Sequence, residues 1–376
     1  MFGKRFTLFK ILGFSVHIDL SWLIIALLVT WSLAQGFFPY RYEGLSSFTY
    51  WTMGVAGAAG LFFSIIFHEL CHSLVARRFG LPMKGITLFV FGGVAEMDDE
   101  PPSPRAEFYM AIAGPLSSIV LALALASVAT VMKELLPQTA YGVIYYLAYL
   151  NLILAVFNLV PAFPLDGGRV LRSALWHWKK DLRRATRLAA KIGSGFALFL
   201  MFIGIVNVVT GSVIGGVWQF MIGMFLRGAA QASYQQVMVR RALEGETVAR
   251  LMKKDPVTVP AGISLRELVE NYVYTYHFKM YPVMEDGGLA GCISTRQVKG
   301  VPRSEWERRT VGELASACSP QNSIAPDTDA VKALAIMNRT GNSRLLVVDA
   351  GRLVGILSLK DILALLAVKM DLGENE

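Results

Sequence analysis

The chain has 376 residues, 54% of them hydrophobic and 17% charged, with a mean hydropathy of +0.47. This is too apolar for an ordinary soluble protein, and the length leaves room for two or three domains. The net charge of +8 belongs to the first 245 residues, which hold 20 Lys/Arg against 12 Asp/Glu; from Glu246 on the count is 16 against 16. A basic apolar half followed by a neutral half points to a membrane protein with cationic loops and a soluble C-terminal region. The basic residues flank apolar spans, which argues against nucleic acid as a partner. Cys71, Cys292 and Cys318 are widely spaced without a C-x-x-C pattern, so neither a disulfide framework nor a thiolate zinc site is expected.

Six apolar spans follow one another, at about 18–38, 50–76, 108–132, 141–161, 192–210 and 213–226. Lys4, Arg5 and Lys10 precede the first, which is long enough to remain as an anchor. Positive residues favour the cytoplasmic side. Lys4, Arg5 and Lys10, then Arg77, Arg78 and Lys84, then the basic run Arg169–Lys191, then Arg227, Arg240 and Arg241 are all placed inside by an even number of spans. Both termini are therefore expected in the cytoplasm. Between the second and third spans, 80–97 is rich in β-formers, bounded by Gly and too short to cross as a helix. A small sheet or re-entrant hairpin is expected there, tolerated at membrane depth where protein buries it.

After a polar, helix-patterned linker (227–245), a unit of roughly 63 residues repeats, beginning at Thr247 and again at Thr310. Each copy continues with a helix, an apolar strand (from Lys279 and from Ser343), a Gly turn and a second strand (from Leu289 and from Leu353). The period exceeds that of common solenoids and suggests two paired small α/β domains. The expected division is 1–226, 227–245, 246–305 and 306–372.

The chemistry gathers in the second span, where F-H-E-L-C-H covers Phe67 to His72. Positions i and i+4 share a helix face, so His68 and His72 can reach one metal ion, and Glu69 stands where a general base would serve a water molecule. Ionisable residues in an apolar helix ask for a functional reason. Catalytic zinc takes three protein ligands, and Asp166, in N-L-V-P-A-F-P-L-D-G-G-R from Asn158, is the candidate third. Pro161 and Pro164 break the fourth span there, and Gly167 and Gly168 permit close backbone approach. Asn158 is read as a substrate-positioning amide near the metal, with an interhelical hydrogen bond as the alternative. Arg77 and Arg78 place His68 nine residues, roughly 13 Å, from the cytoplasmic face, and Asp166 reaches a similar depth from the other side of the site.

Together F-H-E-L-C-H, A-G-P-L-S (Ala113 to Ser117) and the Asn158–Arg169 segment resemble the site-2 protease family of intramembrane zinc metalloproteases, over about the first 225 residues. The resemblance implies one Zn2+ per chain on His68, His72 and Asp166, with Glu69 as catalytic base. It also suggests that Phe91, Gly92, Gly93 and Val94 offer a strand edge to an unwound substrate, because a helix hides its peptide bonds in its own hydrogen bonds. The C-terminal repeat resembles a tandem pair of cystathionine-β-synthase (CBS) domains, which in that family often bind ATP or another adenine nucleotide. In G-I-L-S-L-K-D the matching positions are Ser358 and Asp361; the first copy has Gln297 in place of the Asp.

The fold class expected is thus a multi-pass α-helical membrane protein of about six transmembrane helices with a small re-entrant β element, followed by a soluble α/β tandem CBS pair. The leading function is zinc-dependent cleavage of a membrane-spanning protein in a prokaryotic plasma membrane, regulated by nucleotide at a CBS pair that also serves as a homodimer contact. The competing readings are a CBS-regulated transporter or channel and an inactive scaffold. A transporter expects polar residues along several spans, whereas here they concentrate in the second and fourth.

Overall fold

A computed structural model describes residues 5–81, 83–90, 92–97 and 100–372 of the chain. These form two compact units, Met1–Gln235 and Gln236–Glu376.

The first unit opens with a hairpin, β1 (Arg5–Ile11) and β2 (Phe14–Asp19). Its last residue, Asp19, caps the next helix by accepting from the Ser21 N–H at 2.9 Å. That helix is α1 (Leu20–Ser32), continued through a π-helical turn (Leu33–Phe37) into α2 (Phe38–Arg41). The central helix α3 (Ser47–Arg78) starts at a Ser46 N-cap and ends on Arg77 and Arg78, whose charge suits a helix C-terminus. Next come β3 (Met83–Phe89) and β4 (Gly92–Met97), then α4 (Pro104–Val131), α5 (Gln138–Asn158), α6 (Asp166–Lys179), α7 (Leu182–Val209) and α8 (Val213–Leu243). Among the described residues, six helices are long and apolar enough to cross a membrane: 20–41, 47–78, 104–131, 138–158, 182–209 and 213–243.

Two features depart from the expectation. The β element is a four-stranded sheet in the order β1-β2-β3-β4, because β3 pairs in parallel with β2 as well as antiparallel with β4. The N-terminal stretch before the first span therefore belongs to this sheet. Phe14, Ile86 and Leu88 from the sheet pack on Leu70 of α3, joined by Ile65, Ile66 and Leu74. Secondly, the basic connection after the fourth span is largely helical. Asp166 lies on the first turn of α6, where an anionic side chain meets the positive end of a helix.

In the second unit each repeat builds the same three-stranded sheet. β5 (Val259–Pro260) lies parallel to β6 (Met280–Glu285), which pairs antiparallel with β7 (Gly288–Ser294). Likewise β8 (Ser323–Ile324) lies parallel to β9 (Arg344–Asp349), which pairs antiparallel with β10 (Arg352–Ser358). Met280, Cys292 and Leu346 form a shared core between the two copies.

Candidate metal centre

His68 and His72 lie on consecutive turns of α3, 4% and 6% exposed. Asp166 arrives from the far end of the α5–α6 connection. Its Oδ2 is 3.0 Å from His68 Nε2 and 3.2 Å from His72 Nε2, and the two Nε2 atoms are 3.1 Å apart. Ligand atoms around a tetrahedral zinc stand about 3.4 Å from one another, so these three atoms come close to forming one face of such a site. Among the described residues this is the one group of three potential His, Cys or carboxylate ligands so arranged.

The outer bonds set the tautomer. His72 Nδ1 lies 2.5 Å from the Met110 carbonyl, which can only accept. Nδ1 therefore carries the proton, and the Nε2 lone pair faces a carboxylate oxygen and a second imidazole. Acceptors turned towards one another repel unless a cation stands between them. Two imidazole nitrogens with one carboxylate oxygen match a catalytic zinc donor set, so the residues fit the metal. His68 Nδ1 is oriented by Ser118 Oγ at 2.9 Å.

The sequence makes this convergence possible through small residues. A Cβ on Gly114 of α4 would overlap Nε2 of both histidines, so only glycine lets α4 pass the site. A Cβ on Gly167 would overlap the Leu159 carbonyl, and one on Gly168 the Phe163 backbone. These glycines let the connection fold back over the first turn of α6 and present Asp166.

Glu69 is half-buried on α3, and its carboxylate makes no hydrogen bond or ion pair among the described residues. It lies beside β4: a Cβ on Gly93 would be 2.8 Å from Glu69 Cγ and 3.1 Å from Ile65 Cγ2. β4 is an edge strand, with Gly92, Gly93 and Val94 paired through their backbones to Phe89, Leu88 and Thr87 of β3 alone. Phe91 lies outside the described residues. Asn158 is the last residue of α5 and its side chain makes no hydrogen bond among the described residues.

Several buried polar residues that the sequence reading passed over lie on the helices that carry the site. Besides Ser118, they are the buried ion pair of Glu107 with Arg172, and Asn151. Asn151 Nδ2 donates to Ser64 Oγ at 2.9 Å and to the Leu147 carbonyl at 2.8 Å, tying α5 to α3 one turn from His68. The available signal was polarity inside an apolar span, which Asn151 and Glu107 both show.

In the second unit Ser358 and Asp361 meet each other. Ser358 Oγ donates to Asp361 Oδ2 at 2.5 Å and the Ser358 N–H to the same oxygen at 3.0 Å, at the start of the helix Leu359–Asp371. Ser294 and Gln297 form the equivalent capping box in the first copy.

With this geometry in hand, comparison with known proteins is consistent throughout. The chain matches the model of peptidase family M50 over residues 56–141 and 127–201, and the CBS domain model over 248–301 and 311–368. It is 35% identical over 362 residues to Rip3 of Mycobacterium tuberculosis, named as a zinc metalloprotease, covering 96% of this chain and 92% of that one. The zinc metalloprotease MJ0392 of Methanocaldococcus jannaschii is 32% identical over 311 residues, 82% of this chain and 84% of its own. Among solved structures, the site-2 protease of Methanocaldococcus jannaschii aligns at a TM-score of 0.43 and 28% identity, over 61% of this chain and 94% of that one. The chain belongs to peptidase family M50: it is a multi-pass intramembrane zinc metalloprotease of the site-2 type that carries a tandem pair of CBS domains.

Proposed function

We propose that His68, His72 and Asp166 hold one zinc ion and that Glu69 is the general base for cleavage of a peptide bond within a membrane-spanning protein. The observation that carries this is the meeting of His68 Nε2, His72 Nε2 and Asp166 Oδ2 at 3.0–3.2 Å, with the His72 tautomer turned so that its lone pair points inward. Bound zinc supplies Lewis-acid polarisation of the scissile carbonyl and of the attacking water. Glu69, adjacent in the chain to one ligand, takes a proton from the water and delivers it to the leaving amide nitrogen. Desolvation around the buried histidines strengthens each of these charge interactions.

The substrate span has to be unwound before its backbone can be attacked. The Phe91–Val94 segment, with Gly92 and Gly93 on the edge strand beside Glu69, supports a reading in which β4 holds the substrate extended through backbone hydrogen bonds. Asn158 is a further substrate-facing amide in this reading. The basic loops support cytoplasmic N- and C-termini in a prokaryotic plasma membrane. The CBS pair is read as a regulatory module that also serves as a homodimer contact, with Ser358 and Asp361 meeting an adenine nucleotide such as ATP in the second copy.

The test is loss of an intact co-expressed single-span membrane protein, compared between wild type and Glu69→Gln, with zinc measured in both purified proteins. Cleavage stopped with zinc retained is expected. Equal cleavage by both would remove Glu69 from the chemistry. Zinc near one per chain should be lost in Asp166→Ala, and undiminished zinc there would make the third ligand wrong.

A further inference from the structure

Among the described residues of the first unit, one carboxylate is completely buried. Glu107, in the first turn of α4, is 0% exposed. Its Oε1 accepts from Arg172 Nε at 2.6 Å and pairs with Nη2 of the same guanidinium. Arg172 is 5% exposed, and Arg169 Nε lies 4.0 Å from that oxygen. The Arg172 guanidinium also lies 5.0 Å from the centre of the Phe163 ring, in the connection that leads to Asp166. Both arginines sit on α6, three and six residues after Asp166.

The spacing along α4 gives this pair its meaning. Glu107, Met110, Gly114 and Ser118 recur at intervals of three, four and four residues, one stripe on one helix face. Ser118 orients His68, the Met110 carbonyl orients His72, and Gly114 leaves room for both rings. Glu107 extends the stripe to the helix that starts with Asp166. All three metal-binding side chains are thereby fixed relative to α4, two by hydrogen bonds to their rings and the third through an ion pair to its helix.

A buried ion pair is a poor way to gain stability, because apolar residues of the same volume pack as well without the loss of hydration. It does fix geometry, since a planar guanidinium held at Nε and Nη2 resists the sliding that apolar contacts allow. We propose that Glu107 is a positioning residue for the metal centre, acting through Arg172 to hold α6 where Asp166 completes the site. This rests on His68, His72 and Asp166 being the ligands.

The experiment uses the full chain purified in detergent. Zinc affinity is measured by competition with a chromogenic chelator, the site geometry by the visible absorption of the cobalt-loaded protein, and the fold by thermal unfolding of the zinc-free form. Glu107→Gln should weaken zinc binding roughly 10- to 100-fold, the range for outer partners of metal ligands, and alter the cobalt spectrum. Arg172→Lys keeps the charge but loses the planar fork; it should weaken zinc several-fold with unfolding unchanged, which keeps the test usable if Glu107→Gln folds poorly. The exchange pair Glu107→Arg with Arg172→Glu should recover most of the affinity. Wild-type zinc affinity and cobalt spectrum in Glu107→Gln or Arg172→Lys would overturn the proposal, as would a loss that only follows the drop in zinc-free stability. Asp166→Ala is the control: zinc retained there overturns the ligand set itself, whereas zinc lost there but kept in Glu107→Gln overturns only the positioning role.

Discussion

The metal centre and the candidate nucleotide residues of the second unit were both named from short motifs, yet their surroundings differ. Asp166 meets His68 across 98 positions of sequence, and its Oδ2 converges with two imidazole nitrogens on one point. Ser358 and Asp361 are three residues apart and satisfy one another across the first turn of the helix that follows Ser358. In the first case no local backbone motif accounts for the convergence, and the three donors suit one metal ion. In the second a helix cap already accounts for the contacts, and the Ser294–Gln297 pair does the same at the equivalent place in the first copy. Ligand-type groups gathered over a long separation point to a ligand far more strongly than neighbours that cap a helix.

The sharpest way to break that contrast is at the metal centre. Glu69→Gln should lower cleavage by about 10²- to 10⁴-fold, the range for a lost general base, with zinc content unchanged. A zinc-depleted Glu69→Gln protein would mean that the residue supports the site and not the proton transfer. Gly114→Ala should be nearly as damaging by another route. Its single methyl group overlaps both Nε2 atoms, so zinc affinity is expected to fall at least about 100-fold. Chelator competition measures this, and wild-type affinity would show that α4 can withdraw from the ligands.

The difference between the two regions also explains what could be read beforehand. The meeting of His68, His72 and Asp166 was legible because such residues are rare in apolar sequence and each motif is local. The paired strands of the repeats were legible because alternating apolar runs bounded by glycine occur twice in the same order, at β6–β7 and β9–β10. The parallel pairing of β2 with β3 was not legible, since it joins segments some 70 residues apart, and the apolar–polar alternation of Phe14–Asp19 marks a strand without naming its partner. Nor was the helical course of α6, whose basic residues read as a cytoplasmic loop. Charge alone does not distinguish Arg172, buried on Glu107, from Lys179 and Lys180, which are exposed. Glu107 could have been flagged as the acid nearest the start of an apolar span, but its partner lies on a segment whose fold was unknown.

In the second unit the expected effects are smaller. Asp361→Ala removes a helix cap and should lower stability by about 1 kcal/mol, read from urea unfolding of the full chain in detergent. If Asp361 also meets nucleotide, wild type will gain thermal stability with saturating ATP and the variant will not. Equal responses in the two proteins would leave Asp361 as a cap alone.

The smallest effect concerns Glu246, which anchors the C-terminal helix to the start of the unit. Lys369 Nζ donates to Glu246 Oε1 at 2.7 Å and to the Ala242 carbonyl at 2.9 Å, and Arg250 Nη1 lies 2.9 Å from Oε2. The Lys369 hydrogen bond, opposed by burial and aided by the charges of Lys369 and Arg250, holds the Glu246 carboxyl below its ordinary value. A carboxyl lowered in the folded state stabilises fully above the unfolded value, about 4.3, and that contribution is lost as pH falls through the lowered folded value. Lys369→Met should therefore cost on the order of 1 kcal/mol at pH 7, seen as faster amide hydrogen exchange across residues 359–371. On acidification below about pH 4 the gap from wild type should narrow, because Glu246 becomes neutral in both and wild type keeps only the Lys369 bond to Ala242. A gap that stays constant from pH 7 to pH 3 would assign the anchoring to that carbonyl and leave the Glu246 charge without a part in it.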